Sequence, residues 1–395
     1  MKKHDMNPID KTFVDYWRAC DYKTVSTADS APPPHLPNID FSSCGAMHYG
    51  PIFNGTVAVP SQTRIARIQR SVRPGSGVKI GYSPKHLTAF DMLDVFDLDV
   101  FGRLEQTLEQ IIQFFADHLN IGSDNLVINI STDEKDLLGE AVKRLAQKHH
   151  VELRLLPADK LLWQVKNATY KGTRAEINWK RPDGDLWELW NISLINNQFL
   201  DSGGSMERAD AARLGCNTVF DVGELAQVKA RLVALNIDLA ETELHFLTDQ
   251  VRSATRLMAE GILPGGNNGR RMFVRNLLTN ILGVCARHQQ LAAVEKCFSS
   301  EHRDVVLAAK SNFERQYQRG QKALRKIGAQ MSQADFLSQL QRDPDTRWLA
   351  NNYEALVNVM RAEGRVVVVP QGTISEKSVA LGGMPYYLVD LLEKQ

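Results

Sequence analysis

Residues 69–96, QRSVRPGSGVKIGYSPKHLTAFDMLDVF, constrain the fold more than any other part of the chain. They read as two β-strands joined by a Gly-rich loop. Arg70 and Arg73 precede the loop, Lys79, Lys85 and His86 lie in and after it, and Phe90 and Asp91 follow. A fixed guanidinium for a phosphate, an aromatic face for a base and a mobile loop between them would make a nucleotide clamp on a sheet. An ordinary hairpin with a basic surface carries the same features, and both readings stand on this stretch alone.

The length of 395 residues is enough for two or three domains of ordinary size. Apolar content of 43% and charged content of 24% are those of a soluble globular protein. A net charge of +1 provides no global field for a polyanion, so any such site must be local. The five cysteines, Cys20, Cys44, Cys216, Cys285 and Cys297, are far apart and form no CxxC pair. That argues against a zinc site or a disulfide framework and suits a reducing, cytoplasmic setting. No apolar h-region opens the chain, and no run approaches the ~20 apolar residues of a membrane helix. No membrane partner is expected.

Taken in order, residues 8–20 form an amphipathic helix with Phe13, Tyr16 and Trp17 on one side. APPPHLPNID (31–40) is a connector, since three prolines cannot continue a helix or enter a central strand. FSSCGAMHYGPIFNG (41–55) reads as a loop lining a cleft. Helices are predicted over 103–119 and 137–149, and strands over 126–130 and 153–156. LWELWNISLI (186–195) reads as a buried strand carrying Glu188, Asn191 and Ser193, polar groups that are costly there unless paired or functional. In DSGGSMERADAARLG (201–215), Asp201 precedes a glycine pair and a helix over 206–214. Beyond about residue 222 the chain is mostly helical, with helices over 224–235, 240–260 and 271–286. The helix around 313–327 has an aromatic–aliphatic stripe and a basic opposite face. GRVVVVP (364–370) is read as a buried strand, and GGMPYYLVDLL (382–392) as a turn and helix. No P-loop occurs. The best boundary lies near 230, giving a mixed α/β region, 1–230, and a helical one, 231–395.

Several blocks, in order, resemble the alanyl-tRNA synthetase family of class II aminoacyl-tRNA synthetases. QRSVR…KHLTAFDML resembles motif 2, LWELWNISL the Trp-Asn strand, and DSGGSMER motif 3, which in the family reads close to DTGMGLER. LTDQVRSATRLMAEGILPGGNNGRRMFVRNLL resembles the start of the family's helical tRNA-facing region, and GGMPYYL its end. The resemblance implies an α+β fold, an antiparallel sheet flanked by helices with ATP across it, followed by a mostly α-helical domain. It implies that Arg73 holds the α-phosphate and the substrate carboxylate, that Phe90 stacks on adenine and that Arg208 holds the far phosphates. Lys85 and His86 join the ATP site, although a hydrogen-bonded structural histidine fits His86 equally well. Asp201 takes the amino acid's ammonium, with Trp163, Asn191, Ser193 and Gly203 lining its pocket, and Glu188 helps hold Mg²⁺. No zinc is expected.

The sequence also departs from the family. The editing domain and the C-terminal region are not expected in it, the loop from Arg73 to His86 is shorter, and the Arg-rich helix reads RNLLTN (275–280). NATYKGTR (167–174) replaces the stretch before Glu176. Ser193 stands where the family has Val, Ala46 where it has Met and Ser205 where motif 3 has Gly, which makes the pocket smaller and more polar. Three functions follow. The leading one is ATP-dependent activation of alanine or a similar small amino acid, with transfer to a non-tRNA acceptor such as a carrier protein or a small molecule. The second is charging of a tRNA acceptor end, with Arg270, Arg271, Arg275 and the basic helix as contacts. The third is a non-catalytic regulator that binds an amino acid or nucleotide.

Overall fold

The computed structural model describes residues 8–74, 79–133, 136–164, 170–236 and 238–325, residue 344, and the strand residues 366–368, 380–381, 384–385 and 390–392. The helices are α1 (Pro8–Ala19), α2 (Gly50–Phe53), α3 (Leu104–Gln113), α4 (Leu137–His149), α5 (Met206–Leu214), α6 (Gly223–Val233), α7 (Glu241–Ala259), α8 (Gly269–Arg287) and α9 (Arg303–Arg325). The main strands are β1 (Lys23–Ala28), β2 (Arg64–Val72), β3 (Ala89–Asp97), β4 (Leu126–Ser131), β5 (Glu152–Leu156), β6 (Leu162–Gln164), β7 (Lys171–Lys180), β8 (Leu186–Ile195) and β9 (Phe199–Ser205). Among the described residues no helix is long and apolar enough to cross a membrane.

By its contacts the chain forms two compact units: residues 1–72 with 89–223, and residues 73–88 with those from 224 onward. The sequence placed the change near residue 230. Contacts place it at 223/224 and assign the 73–88 excursion to the helical unit.

The first unit is an α+β layer built on one sheet, in the order β1-β2-β3-β9-β8-β7-β4-β5, with β6 also on β7. Pairing is antiparallel except at the two ends, where β1 runs parallel to β2 and β4 to β5. The two faces of the sheet differ. On one, Trp190, Ile192 and Leu194 of β8 are buried, and Trp190 meets the edge of Phe115 at 5.6 Å. Phe114, just after α3, carries the apolar layer on to Phe13 of α1 at 5.8 Å. The Trp190 indole N–H donates to Ser202 Oγ, so this buried strand keeps its polar atom satisfied. The other face carries the polar residues described below.

Asp201, Gly203 and Gly204, expected as a strand–helix junction, lie within β9. The glycines belong there because their neighbours leave no room. A Cβ on Gly204 would meet the Leu189 carbonyl oxygen, and one on Gly203 the Asp94 carboxylate. Glycine in a strand interior often marks such close approach of another backbone or side chain. Strand β9 ends where Ser205 caps α5 by accepting from the Arg208 N–H. Strands β1 and β7 were not anticipated. The turn and helix expected over 382–392 give way to short pairings of Ala380–Leu381 with Met384–Pro385 and of Val366–Val368 with Asp390–Leu392. Pairing with Val366–Val368 supplies backbone partners that an isolated helical turn leaves unmet.

The second unit is helical, with the 73–88 excursion seated on α7. A Cβ on Gly81, at φ +86°, would come within 2.5 Å of the Thr242 carbonyl oxygen. Thr88 N–H donates to Asp249 Oδ1 at 2.8 Å, and Asp249 Oδ2 accepts from Gln250 at 3.0 Å. Gln250 in turn accepts from Asn280 of α8 at 3.0 Å. Asp249 is fully buried and burial raises its pKa. Asp249→Ala leaves the Thr88 N–H buried and unpaired and costs about 2–3 kcal/mol, read as a lowered denaturant midpoint of the second unit. An unchanged midpoint contradicts this anchoring.

Candidate active site

Strand alternation and register identify the residues that share the polar face. Met92 pairs with Ser205, Asp94 with Gly203 and Phe96 with Asp201. Asn191 pairs with Gly203 and Ser193 with Asp201, while Glu176 and Arg174 of β7 pair with Asn191 and Ser193. Four adjacent strands therefore present Phe90, Asp94, Asp201, Asn191, Ser193, Arg174 and Glu176 on one surface.

Asp201 is the most unusual member. It retains some accessible surface, yet its carboxyl lies deep enough that burial alone raises its pKa to about 7. Among the described residues no hydrogen-bond donor or cation meets it. Its neighbours are aromatic and sulfur-bearing. Tyr170 has its pKa raised by burial first and then by the nearby Cys44 and Asp201. Tyr170 stacks on Trp163 at 5.9 Å and 27°, and meets Phe53 edge-on at 5.5 Å. Trp163 and Tyr170 pack against a buried cluster that includes Ala46, Phe53, Phe96 and Ile195. The 41–55 segment, read as a loop lining a cleft, supplies Cys44 just before a 3₁₀ turn, Ala46 within that turn and Phe53 at the end of α2 to this wall.

Beside Asp201, the Asn191 side-chain N–H donates to Glu188 Oε1 at 3.0 Å, and its Oδ1 is buried without a hydrogen-bond partner among the described residues. Ser193 is 1% exposed. Glu188 also faces Arg208, whose Nη1 lies 3.5 Å from Glu188 Oε1 and donates to the Glu188 carbonyl at 3.2 Å. The guanidinium, in the first turn of α5, is thus turned back over β8. Glu207, buried at 4%, secures the same turn by accepting from Ser205 Oγ at 3.0 Å and from the Asp91 N–H at 3.3 Å. Asp91 faces away from the polar surface toward Arg70, at 3.6 Å. Arg70 is therefore engaged in a cross-strand pair.

Nearer the β2 edge, Asp94 is 1% exposed and is enclosed by Gly45 and Gly203, at either of which a Cβ would strike its carboxylate. Arg67 lies opposite Asp94, with Nη2 3.2 Å from His48 Nε2. Burial and the Arg67 charge push His48 down to about 4, so it is neutral and accepts from the guanidinium. Phe90 lies on the same face, opposite Ser71, and is 7% exposed.

The structure thus places Glu188, Asn191, Ser193, Asp201, Gly203 and Arg208 together at the β8–β9–α5 junction, with Trp163 in the wall and Phe90 on the neighbouring strand. Arg73, Lys85 and His86 belong to the second unit. There Arg73 N–H donates to Thr88 O at 2.8 Å, and His86 Nδ1 lies 2.6 Å from Ser83 Oγ. In the same unit Arg270 lies 3.7 Å from Glu260, Arg271 Nε donates to Leu263 O at 3.4 Å, and Arg275 reaches the Gly266 carbonyl.

Sequence reading gave no site role to Tyr170, Cys44, Asp94 or Glu207. Asp94 was detectable, because it falls in period two with Phe90 and Phe96 on a strand with no solvent face. No spacing signal led to Tyr170 or Cys44. For Mg²⁺, no group of three or more His, Cys, Asp or Glu side chains among the described residues is arranged to hold a metal. Glu188 alone fits the usual donor set for that ion, one or two carboxylates plus substrate phosphates.

Residues 8–186 match the model of a family described as tRNA synthetases class II (A). The chain is also similar to alanine–tRNA ligases, with 24% identity over 342 residues to that of Clostridioides difficile (strain 630) and 24% over 322 residues to that of Mesorhizobium japonicum. These matches take in 78% and 72% of this chain but 38% and 35% of the relatives, so the chain spans little more than a third of their length. Among solved structures, the RNA binding domain of threonyl-tRNA synthetase from Cryptosporidium parvum shares 14% identity at a TM-score of 0.38, covering 53% of this chain and 63% of that one.

Proposed function

We propose that this protein activates a small amino acid with ATP as an aminoacyl-adenylate. An oxygen of the amino-acid carboxylate attacks the α-phosphorus in line, the bond from that phosphorus to the bridging oxygen breaks, and pyrophosphate leaves. Positioning and charge neutralisation suffice for such a step, and no nucleophilic side chain is needed. The observation that carries this reading is the Asp201 carboxylate, sunk in the sheet with no cation among the described residues and placed beside the open Asn191 Oδ1. An α-ammonium supplies the missing positive charge and a donor for the Asn191 oxygen.

Arg208 exchanges its weak contact with Glu188 for the far phosphates of ATP, and Phe90 provides an aromatic surface for adenine. Arg73 holds the α-phosphate and substrate carboxylate, with Lys85 and His86 as further phosphate contacts; these three roles rest on the motif resemblance. Glu188 would hold Mg²⁺, which when bound neutralises phosphate charge. In a second step the acyl group passes to an acceptor nucleophile and AMP departs. The relatives are alanine–tRNA ligases, which supports a tRNA acceptor and alanine as a candidate amino acid. No structural feature favours the carrier-protein or small-molecule acceptors expected from the sequence. A cytoplasmic setting belongs to the same reading.

The test is amino-acid-dependent ATP–pyrophosphate exchange, without tRNA, across the common amino acids. Exchange is expected with one or two small amino acids. Arg208→Ala is expected to lower it by about 10²–10³-fold, the usual loss for one preorganised charge-stabilising donor. Ligand binding with no exchange for any amino acid contradicts the proposal and favours a binding protein.

A further inference from the structure

The neighbour of Asp201 across the sheet is Ser193, and the two are directly paired in register. Ser193 is 1% exposed, and among the described residues its hydroxyl makes no hydrogen bond. A buried hydroxyl left unpaired is costly, and native structures pair such groups with protein, water or ligand. The surroundings do not supply the pairing. Arg174, opposite Ser193 on β7, is held by Glu176 at 2.7 Å and donates to the Lys160 carbonyl at 3.1 Å, while its Nε is buried and makes no hydrogen bond among the described residues, to Ser193 or any other group. Ile195, next along the same face of β8, is apolar and belongs to the buried cluster beneath Trp163.

We infer that Ser193 selects the side chain of the amino acid, and that the preferred substrate is a small α-amino acid with a hydroxyl on its β-carbon rather than an alanine-like methyl. This rests on the adenylation reading above. Directly paired residues hold their Cβ atoms about 4.5–5.5 Å apart. The ammonium and β-hydroxyl of one amino acid are separated by two carbons. A substrate anchored by its ammonium on Asp201 therefore sets its β-hydroxyl near the neighbouring position. There it both donates to and accepts from the Ser193 hydroxyl. Trp163, Tyr170 and Ala46 close the wall with aromatic and apolar surface, and Arg174, the charged residue opposite Ser193, is engaged by Glu176. An apolar side chain of the same size fits sterically but strands the Ser193 hydroxyl. Sites built to hydrogen-bond a substrate hydroxyl reject the analogue lacking it far more strongly than apolar pockets reject a missing methylene.

The test compares L-serine with L-2-aminobutyrate, which has a methyl in place of the hydroxyl, and with L-alanine. Binding is measured by calorimetry and activation by pyrophosphate exchange. The wild-type protein is expected to favour serine over 2-aminobutyrate in kcat/KM by at least about 10²-fold. Ser193→Val is expected to reverse the order and Ser193→Ala to abolish the preference, with circular dichroism verifying the fold of each. Equal or better use of alanine or 2-aminobutyrate by the wild type overturns the inference and leaves the adenylation reading standing. Preferential serine binding without exchange supports the subsite and contradicts adenylation. Binding of none of the three overturns the inference.

Discussion

Asp201→Asn lowers amino-acid affinity by about 10²–10³-fold, because removing one partner of a desolvated charge pair costs about 3–5 kcal/mol. Asparagine keeps the shape and loses the charge, so the loss reports the ammonium contact and not a cavity. The same residue fixes the pH dependence. With its pKa raised to about 7 by burial, the carboxyl of the free protein is largely protonated below that pH. An ammonium binds the ionised form, so affinity falls by about tenfold per pH unit below neutrality and levels off above it. Stability runs the other way. Between pH 4 and 7 an unfolded chain has released this proton while the folded one retains it, so the folded state loses stability as pH rises through that window. Asp201→Asn is therefore at least as stable as the wild type at pH 8, while its binding is lost. Calorimetric titration from pH 5.5 to 8.5, with urea unfolding at both ends, separates the two effects. A variant that binds normally, or one that fails only because it unfolds, contradicts this assignment.

Gly204→Val destabilises the first unit by about 3 kcal/mol or more, at the upper end of overpacking penalties. Even a bare Cβ at this position would meet the Leu189 carbonyl oxygen and lie 3.0 Å from the Trp190 ring. Both belong to β8, the strand that carries Glu188, Asn191 and Ser193, and relief requires β8 and β9 to separate. Activity is expected to fall with stability, because the separation moves Asp201 away from Asn191. Urea unfolding followed by Trp fluorescence measures the effect. An unchanged midpoint means that the strands have slack, and contradicts the close approach described here.

Much of the architecture was legible in the sequence because its signals are periodic. Strand β8 and helices α4 and α5 fall where the pattern of apolar residues put them, and α7 and α8 fall within two residues of it. Three features were not legible. The glycine pair at 203–204 carries two meanings, turn and close approach, and only the neighbouring strand decides between them. The 73–88 excursion reads as a hairpin loop, but its grouping with the helical unit depends on Asp249, 161 residues away from Thr88 in sequence. The Asp201 wall draws on Cys44, Phe53, Trp163 and Tyr170, from three separate segments whose convergence follows from sheet order alone. At the site, the motif resemblance pointed to Asp201, Asn191 and Arg208. The hydrogen bonds that leave Asn191 Oδ1 and Ser193 open, and that turn Arg208 toward Glu188, are properties of the folded chain.

Isotope transfer tests the central claim most directly. The protein is incubated with ATP, Mg²⁺ and an amino acid labelled with ¹⁸O in its carboxylate, and the AMP formed is weighed by mass spectrometry. Attack of the carboxylate on the α-phosphorus leaves one ¹⁸O in AMP, and the account predicts that labelled product for the wild type and its loss in Asp201→Asn and Arg208→Ala. Unlabelled AMP, or no AMP in the presence of demonstrable amino-acid binding, contradicts it.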